Sequence, residues 1–313
     1  MKNVKVILWG LGAMGGGIGK MLTKKKGVDI VGAIDIGDKI GKSLYDVVPG
    51  IVKGDREDVI VGTPEDVIKP GAADIVVVCT NSFTKDVFDK LVFVMERGMN
   101  VITSAEEMAY PQAQEPELAK KLDEIAKKNG VSVMGTGINP GLIMDLLVVL
   151  WTAACEEVNH VTSRRVNSLS PFGPAVMEEQ GIGISVEEFN ERKANGTMAG
   201  HVGFAESTMM ICDALGWKWD DFGQDMEPIV TDVDRKSPYG FAAAGQVAGV
   251  AMKGWVNIDG ERKIDMDHPQ QIEPEQVGVH TSDYVILDAV PPVNMVNTPE
   301  IEGGIGTMAM IMN

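Results

Sequence analysis

The sequence predicts a doubly wound α/β domain with a parallel sheet, followed by a second domain of α+β type. Three observations carry this reading. Up to Gly135, short β-rich runs alternate with amphipathic segments; several of those runs are apolar almost throughout; and beyond Gly135 the rhythm breaks into strands separated by long loops.

In order, residues 4–9, 29–35, 59–61, 74–79, 100–103 and 131–135 read as strands. The run Ile75-Val76-Val77-Val78 has no polar face, as expected of a strand covered on both sides in a parallel sheet. Between the strands, residues 14–25, 84–97 and 115–129 carry helical spacing. Pro116 suits the first turn of the last of these, and Asn129-Gly130 supplies its stop. Strand, helix and strand repeated in this way imply right-handed crossovers. After Asn139-Pro140-Gly141 breaks the chain, residues 142–154 read as a buried helix. Strands at 160–166, 229–233, 246–258 and 284–287 then suggest a mixed or antiparallel sheet. The tail, 293–313, is expected to pack a final helix on the first domain. The division this suggests is 1–140, completed by 290–313, and 141–289.

The chain has 313 residues, more than one ordinary core organises, so two domains are expected. Its 44% hydrophobic and 23% charged residues are those of a soluble globular protein. Met1-Lys2-Asn3 leads straight into an apolar strand, without a signal-peptide pattern, and the apolar stretch 146–155 is far short of the ~20 residues that cross a bilayer. No membrane partner is expected. Cys79, Cys155 and Cys212 are scattered and odd in number, which fits a reduced, cytoplasmic setting. A net charge of −17 argues against nucleic acid and is compatible with a cationic small substrate. His160, His201, His268 and His280 lack metal-ligand spacing, so no metal is predicted.

The most informative motif is Gly10-Leu11-Gly12-Ala13-Met14-Gly15, a Gly-x-Gly-x-x-Gly sequence lying between a strand and a helix. Such glycines allow a tight turn, close approach of backbone to a pyrophosphate, and packing of helix on strand. Asp35 ends the next strand, at about the 20-residue spacing where a carboxylate binds the adenosine ribose hydroxyls. This is a Rossmann-type dinucleotide site. Its acidic residue disfavours a 2′-phosphate, while Lys39 nearby softens that effect, so NAD is favoured and NADP left open. By the rule that ligands bind beyond the carboxyl ends of the strands, Thr80, Asn81, Ser82, Ser104 and Asn139 should also line the cofactor cleft.

Glu106 and Glu107 follow the fifth strand, whose end faces the nicotinamide in this architecture. A carboxylate there can take a proton from an amine, and spacing alone does not say which of the two does so. Arg165 and Asn167 alternate onto one face of a strand and suit bidentate capture of a carboxylate. His268 is read as part of a polar turn, Met266-Asp267-His268-Pro269. The methionine-rich runs 209–210 and 308–312 read as core.

With the glycine motif, residues 103–107 and Gly135-Thr-Gly-Ile-Asn-Pro-Gly-Leu-Ile-Met-Asp145 in view, the chain resembles the 2,4-diaminopentanoate dehydrogenases and the similar native amine dehydrogenases of the dihydrodipicolinate-reductase-like superfamily. The resemblance spans nearly the whole chain. It implies oxidative deamination at C4 of 2,4-diaminopentanoate to 2-amino-4-oxopentanoate and ammonia with NAD(P), a step of ornithine fermentation. It further implies a catalytic carboxylate at Glu106, a substrate pocket of Asn139, Arg165, Asn167 and His268, and a homodimer formed through the second domain. The paired histidines and Lys-x-x-x-Pro-Ser-Gly-Thr-type segment of true dihydrodipicolinate reductases are lacking. Two other readings stay open: an NAD(P)H-dependent reductase of a carbonyl or cyclic imine, and a non-catalytic dinucleotide-binding protein.

Overall fold

A computed structural model describes residues 2–198 and 200–313. The chain forms two compact units, one running to Leu142 and including Gly303–Asn313, the other spanning Ile143–Glu302.

The first unit contains β1 (Val4–Trp9), α1 (Ala13–Leu22), β2 (Val28–Ile34), a short α2 (Leu44–Val47), β3 (Val61–Gly62), α3 (Pro64–Val67), β4 (Ile75–Val78), α4 (Thr84–Met95), β5 (Asn100–Thr103), α5 (Pro116–Asn129) and β6 (Val133–Gly135). The strands form one parallel sheet in the order β3-β2-β1-β4-β5-β6. This is the doubly wound order, and its switch point lies between β1 and β4. Alternation along the strands divides the core in two. Val6, Leu8 and Val77 pack on one face with Ile18 and Leu22 of α1. Ile7, Trp9, Val76 and Val78 pack on the other with Leu91 and Met95 of α4 and Leu122 of α5. The apolar run in β4 therefore serves both faces, as a central parallel strand must.

The second unit contains α6 (Leu146–Thr152), β7 (Glu157–Ser168), α7 (Pro174–Glu179), α8 (Val186–Ala194), α9 (Phe204–Leu215), β8 (Asp221–Val230), β9 (Arg235–Lys236), β10 (Phe241–Ala242), β11 (Val247–Ile258), β12 (Glu261–Gln271), β13 (Ser282–Val290) and β14 (Val293–Asn297). Its main sheet is mixed, in the order β14-β13-β7-β12-β11-β8, with β7 and β12 the parallel pair and the other pairs antiparallel. Helix α9 lies on β11, where the Phe204 ring closes over Gly254: a Cβ there would stand 2.7 Å from the ring.

Four expectations need correction. The segment around His268 is no turn but the interior of β12. Charged Lys263, Asp265 and Asp267 alternate with buried Ile264, Met266 and His268, and that polar face hid the strand. The strand expected at 229–233 lies earlier, at Asp221–Val230. Helix α6 is shorter than 142–154 and only half covered: Val148 and Thr152 are buried while Leu146, Leu150 and Trp151 are exposed. The Asp145 carboxylate caps it by accepting the Leu146 N–H at 2.7 Å. The tail forms β14 in the second unit before the last helix, α10 (Gly303–Met312), which packs beside α1 with Met308 over Gly17.

Candidate active site

At the carboxyl end of β1 the chain turns at Gly10, with φ +94°, and enters α1. A Cβ on Gly10 or Gly15 would collide with backbone, that of Cys79 for the first and that of Gly10 for the second, so both are fixed by packing. Gly12 differs: a Cβ there meets nothing within 4 Å, and Gly12 and Ala13 are exposed. Gly12 is the N-cap of α1, no side chain caps the helix, and its first turn holds no acid. Ala13 and Met14 thus open a helix whose positive end faces open space that a methyl would fill. A dinucleotide pyrophosphate fits this cradle.

Asp35 stands just beyond β2. Its Oδ2 accepts the Leu11 N–H at 2.7 Å and pairs with Lys39 Nζ at 2.8 Å, while Oδ1 accepts the Ile36 N–H at 2.7 Å. Burial works to raise its pKa, but Lys39 and the two N–H donors outweigh it and hold the carboxyl below its ordinary value. The carboxylate is thus ionised at the end of β2. Beyond β4, Lys90 donates to Thr80 Oγ1 at 3.0 Å and Asn81 Oδ1 at 2.6 Å, and the Ser82 carbonyl accepts the Glu107 N–H at 3.1 Å. Ser104 follows β5, its N–H bonded to the Val78 carbonyl at 3.2 Å. Asn139 follows β6 and precedes a cis Pro140.

The paired glutamates sit in different surroundings. Glu107 is buried, and its Oε2 accepts the Thr84 N–H at 2.7 Å, which caps α4. Its Oε1 lies 3.4 Å from Gln114 Nε2. Glu106 is half-buried.

In the second unit the alternation of β7 puts Ser163, Arg165 and Asn167 on its buried face. Arg165 is 1% exposed. Directly opposite on β13 stands Asp283, whose Oδ1 accepts from Nη1 at 2.5 Å. Nη2 donates to the Ile301 carbonyl at 2.6 Å and lies 3.0 Å from Glu300 Oε2. On the other side His268 Nδ1 is 2.8 Å from the Arg165 carbonyl. A carbonyl only accepts, so Nδ1 carries the proton and Nε2 presents a lone pair. Burial first, then His201 and Arg165, hold the His268 pKa well below its usual value. The His201 ring stands edge-on to it at 4.9 Å, its own pKa pushed down to about 3 by burial and Arg165. Both rings are therefore neutral near pH 7. Arg165, Asn167 and His268 thus come together, and Glu106 and Asn139 lie in the other unit. Among the described residues no group of three or more His, Cys, Asp or Glu is disposed to hold a metal ion.

Residues 142–313 match the 2,4-diaminopentanoate dehydrogenase C-terminal domain family. Over its full length the chain is 68% identical to the 2,4-diaminopentanoate dehydrogenase of Acetoanaerobium sticklandii, covering 89% of that protein. The chain belongs to the 2,4-diaminopentanoate dehydrogenase family. In fold it is similar to the amine dehydrogenase from Mycobacterium smegmatis, with a TM-score of 0.83 at 24% identity over 99% of this chain and 90% of that one. It is more distantly similar to GenD2 from gentamicin A biosynthesis, solved in complex with NAD, with a TM-score of 0.54 at 15% identity over 95% and 73%.

Residues that sequence reasoning missed surround Arg165. Asp283 and Glu300 are its acidic partners, 118 and about 135 positions away, and no local pattern joins them to it. His201 gave no signal beyond being a histidine. Lys90 was one of many lysines on a helix, and only its bonds to Thr80 and Asn81 single it out.

Proposed function

We infer that this chain catalyses the NAD(P)-dependent oxidative deamination of 2,4-diaminopentanoate at C4, giving 2-amino-4-oxopentanoate and ammonia, and reductive amination in reverse. The observation that carries this is identity of 68% along the whole chain to a protein of that name. The first unit is read as the cofactor domain and the second as the domain for substrate and for dimerisation. The bound nicotinamide supplies the hydride acceptor. Asp35 favours NAD, since an ionised carboxylate repels a 2′-phosphate; Lys39, already paired with it, is the group that admits NADP.

An aliphatic ammonium, with a pKa near 10, does not release hydride until a base has taken a proton from it. Glu106 is assigned that role. The assignment is favoured over Glu107, which is buried and held by the Thr84 N–H at the start of α4. Hydride loss leaves an iminium; once Glu106 has released the first proton to solvent, it takes one from the water that adds to the iminium carbon and returns it to the nitrogen, and ammonia leaves. Arg165 has five N–H groups and two described hydrogen bonds, so donors remain for the substrate carboxylate. Asn167 and His268 of the second unit, and Asn139 of the first, are each assigned to substrate binding. The setting is read as a homodimer in the cytoplasm, within ornithine degradation; among the described residues no helix is long and apolar enough to cross a membrane.

The test is Glu106→Gln. Turnover of 2,4-diaminopentanoate should fall by roughly two to four powers of ten with NADH binding retained. A variant within a few-fold of wild type refutes the role.

A further inference from the structure

The buried cluster at Arg165 holds more acid than base. Asp283 is fully buried and Glu300 has a side chain 9% exposed, so two carboxylates share one guanidinium while both neighbouring histidines are neutral. An excess buried carboxylate is costly unless a cation joins it. The hydrogen-bond pattern is also incomplete. Glu300 Oε1 accepts the Ser168 N–H at 2.8 Å, whereas Oε2, within charge-contact distance of Arg165 Nη2, has no aligned hydrogen-bond donor among the described residues. Asn167 Oδ1, one residue before Ser168, is likewise a buried acceptor with no donor. Each buried acceptor left unmade costs about 1 to 3 kcal/mol, so such atoms mark a place where a donor belongs. An ammonium group brings three N–H donors and one positive charge.

We propose that Glu300 receives the C2 ammonium group of the substrate, so that Arg165 and Glu300 together read an amino-acid head, carboxylate on one and ammonium on the other. The proposal rests on the deamination reading above and extends it to specificity: the C2 amino group, which takes no part in the chemistry at C4, is what Glu300 selects. The Glu300 carboxyl, which burial pushes up to about 7 despite Arg165, supports the need for a further cation beside it. No covalent step is involved.

The experiment compares two ketones in reductive amination with NADH and ammonium, using wild type, Glu300→Gln and Glu300→Asp. One ketone is 2-amino-4-oxopentanoate. The other is 4-oxopentanoate, which keeps the carboxylate and the C4 carbonyl and lacks only the C2 amino group. For Glu300→Gln, kcat/KM for the amino ketone should fall roughly 10- to 100-fold, mainly through KM, the loss expected for a charge-assisted hydrogen bond. For 4-oxopentanoate, kcat/KM, or its inhibition constant where turnover is slow, should stay within about threefold. Glu300→Asp, which keeps the charge, should recover part of the loss. An equal fall for both ketones means Glu300 only holds Arg165, and an unchanged amino ketone means it holds nothing; either result overturns the proposal alone. A wild-type protein that aminates neither ketone overturns the deamination reading itself and the proposal with it.

Discussion

Glu300 also makes a prediction about folding that needs no substrate. In the ligand-free protein its carboxyl faces Arg165 across 3.0 Å, Asp283 on β13, the Ser168 N–H and the charge of Glu302. Burial is the strongest influence and raises the pKa from 4.5 to about 7. A group whose folded pKa is raised favours the folded state below its unfolded value and loses that contribution as pH climbs through the folded value. Ionising Glu300 in the folded protein therefore costs stability progressively as pH rises from 4.5 to about 7, and the cost is constant above that. The rise corresponds to about 3 kcal/mol, and solvent screening at a half-buried residue brings the measurable figure nearer ~2 kcal/mol. Glu300→Gln has no charge to bury. Its Oε1 still accepts the Ser168 N–H, while its amide turns a donor toward Arg165, a cost that does not vary with pH. The slope, and not the level, is thus diagnostic. In urea titrations from pH 5 to 8.5, the stability of the variant minus that of wild type should rise by about 2 kcal/mol, nearly all of it between pH 5 and about 7, and level off above that. A difference that stays flat across this range refutes the reasoning.

Three further substitutions test the cofactor half. Gly15→Ala drives a Cβ into the Gly10 carbonyl, a backbone atom that cannot step aside, and should lower Tm by about 5 °C or more. Gly12→Ala meets nothing and should keep Tm within about 1 °C, yet weaken NADH at least about tenfold in a fluorescence titration, because its methyl fills the approach to the phosphates; unchanged NADH affinity refutes the cradle. Lys39→Ala frees the Asp35 carboxylate of its cation and should raise KM for NADP by about tenfold with NAD changed less than about threefold. Equal effects on the two cofactors exclude Lys39 as the discriminating group.

The first unit was legible because its information is local. Each strand is a run whose periodicity is visible within a few residues, and the glycine motif and Asp35 lie within one βαβ unit, at the ends of β1 and β2. Even so, boundaries moved: β3 begins at Val61, because Ile60 forms only an isolated bridge with Ser43. The second unit was harder. Its strands carry charged outer faces, and in β12 the residues Lys263, Asp265 and Asp267 look like a solvated loop until their buried neighbours are seen to alternate with them. A continuous apolar run misled in the opposite direction at α6, where hydrophobicity said nothing about how much of the helix would be covered.

The same contrast explains what was missed near Arg165. Alternation correctly put Arg165 and Asn167 on one face, but a sequence shows a guanidinium without its counter-ions. Asp283 reaches Arg165 through strand pairing between β7 and β13, and Glu300 through the segment after β14, so neither spacing is fixed by any local rule. Taken alone, Arg165 reads as a free clamp for an anion. With two acids beside it the neighbourhood becomes net negative, and its unmet demand is for a cation. A substrate that brings an ammonium with its carboxylate meets that demand where a simple carboxylate does not. The charge count argues for the ammonium half of an amino-acid head beside Glu300, and the spare N–H groups of Arg165 argue for the carboxylate half.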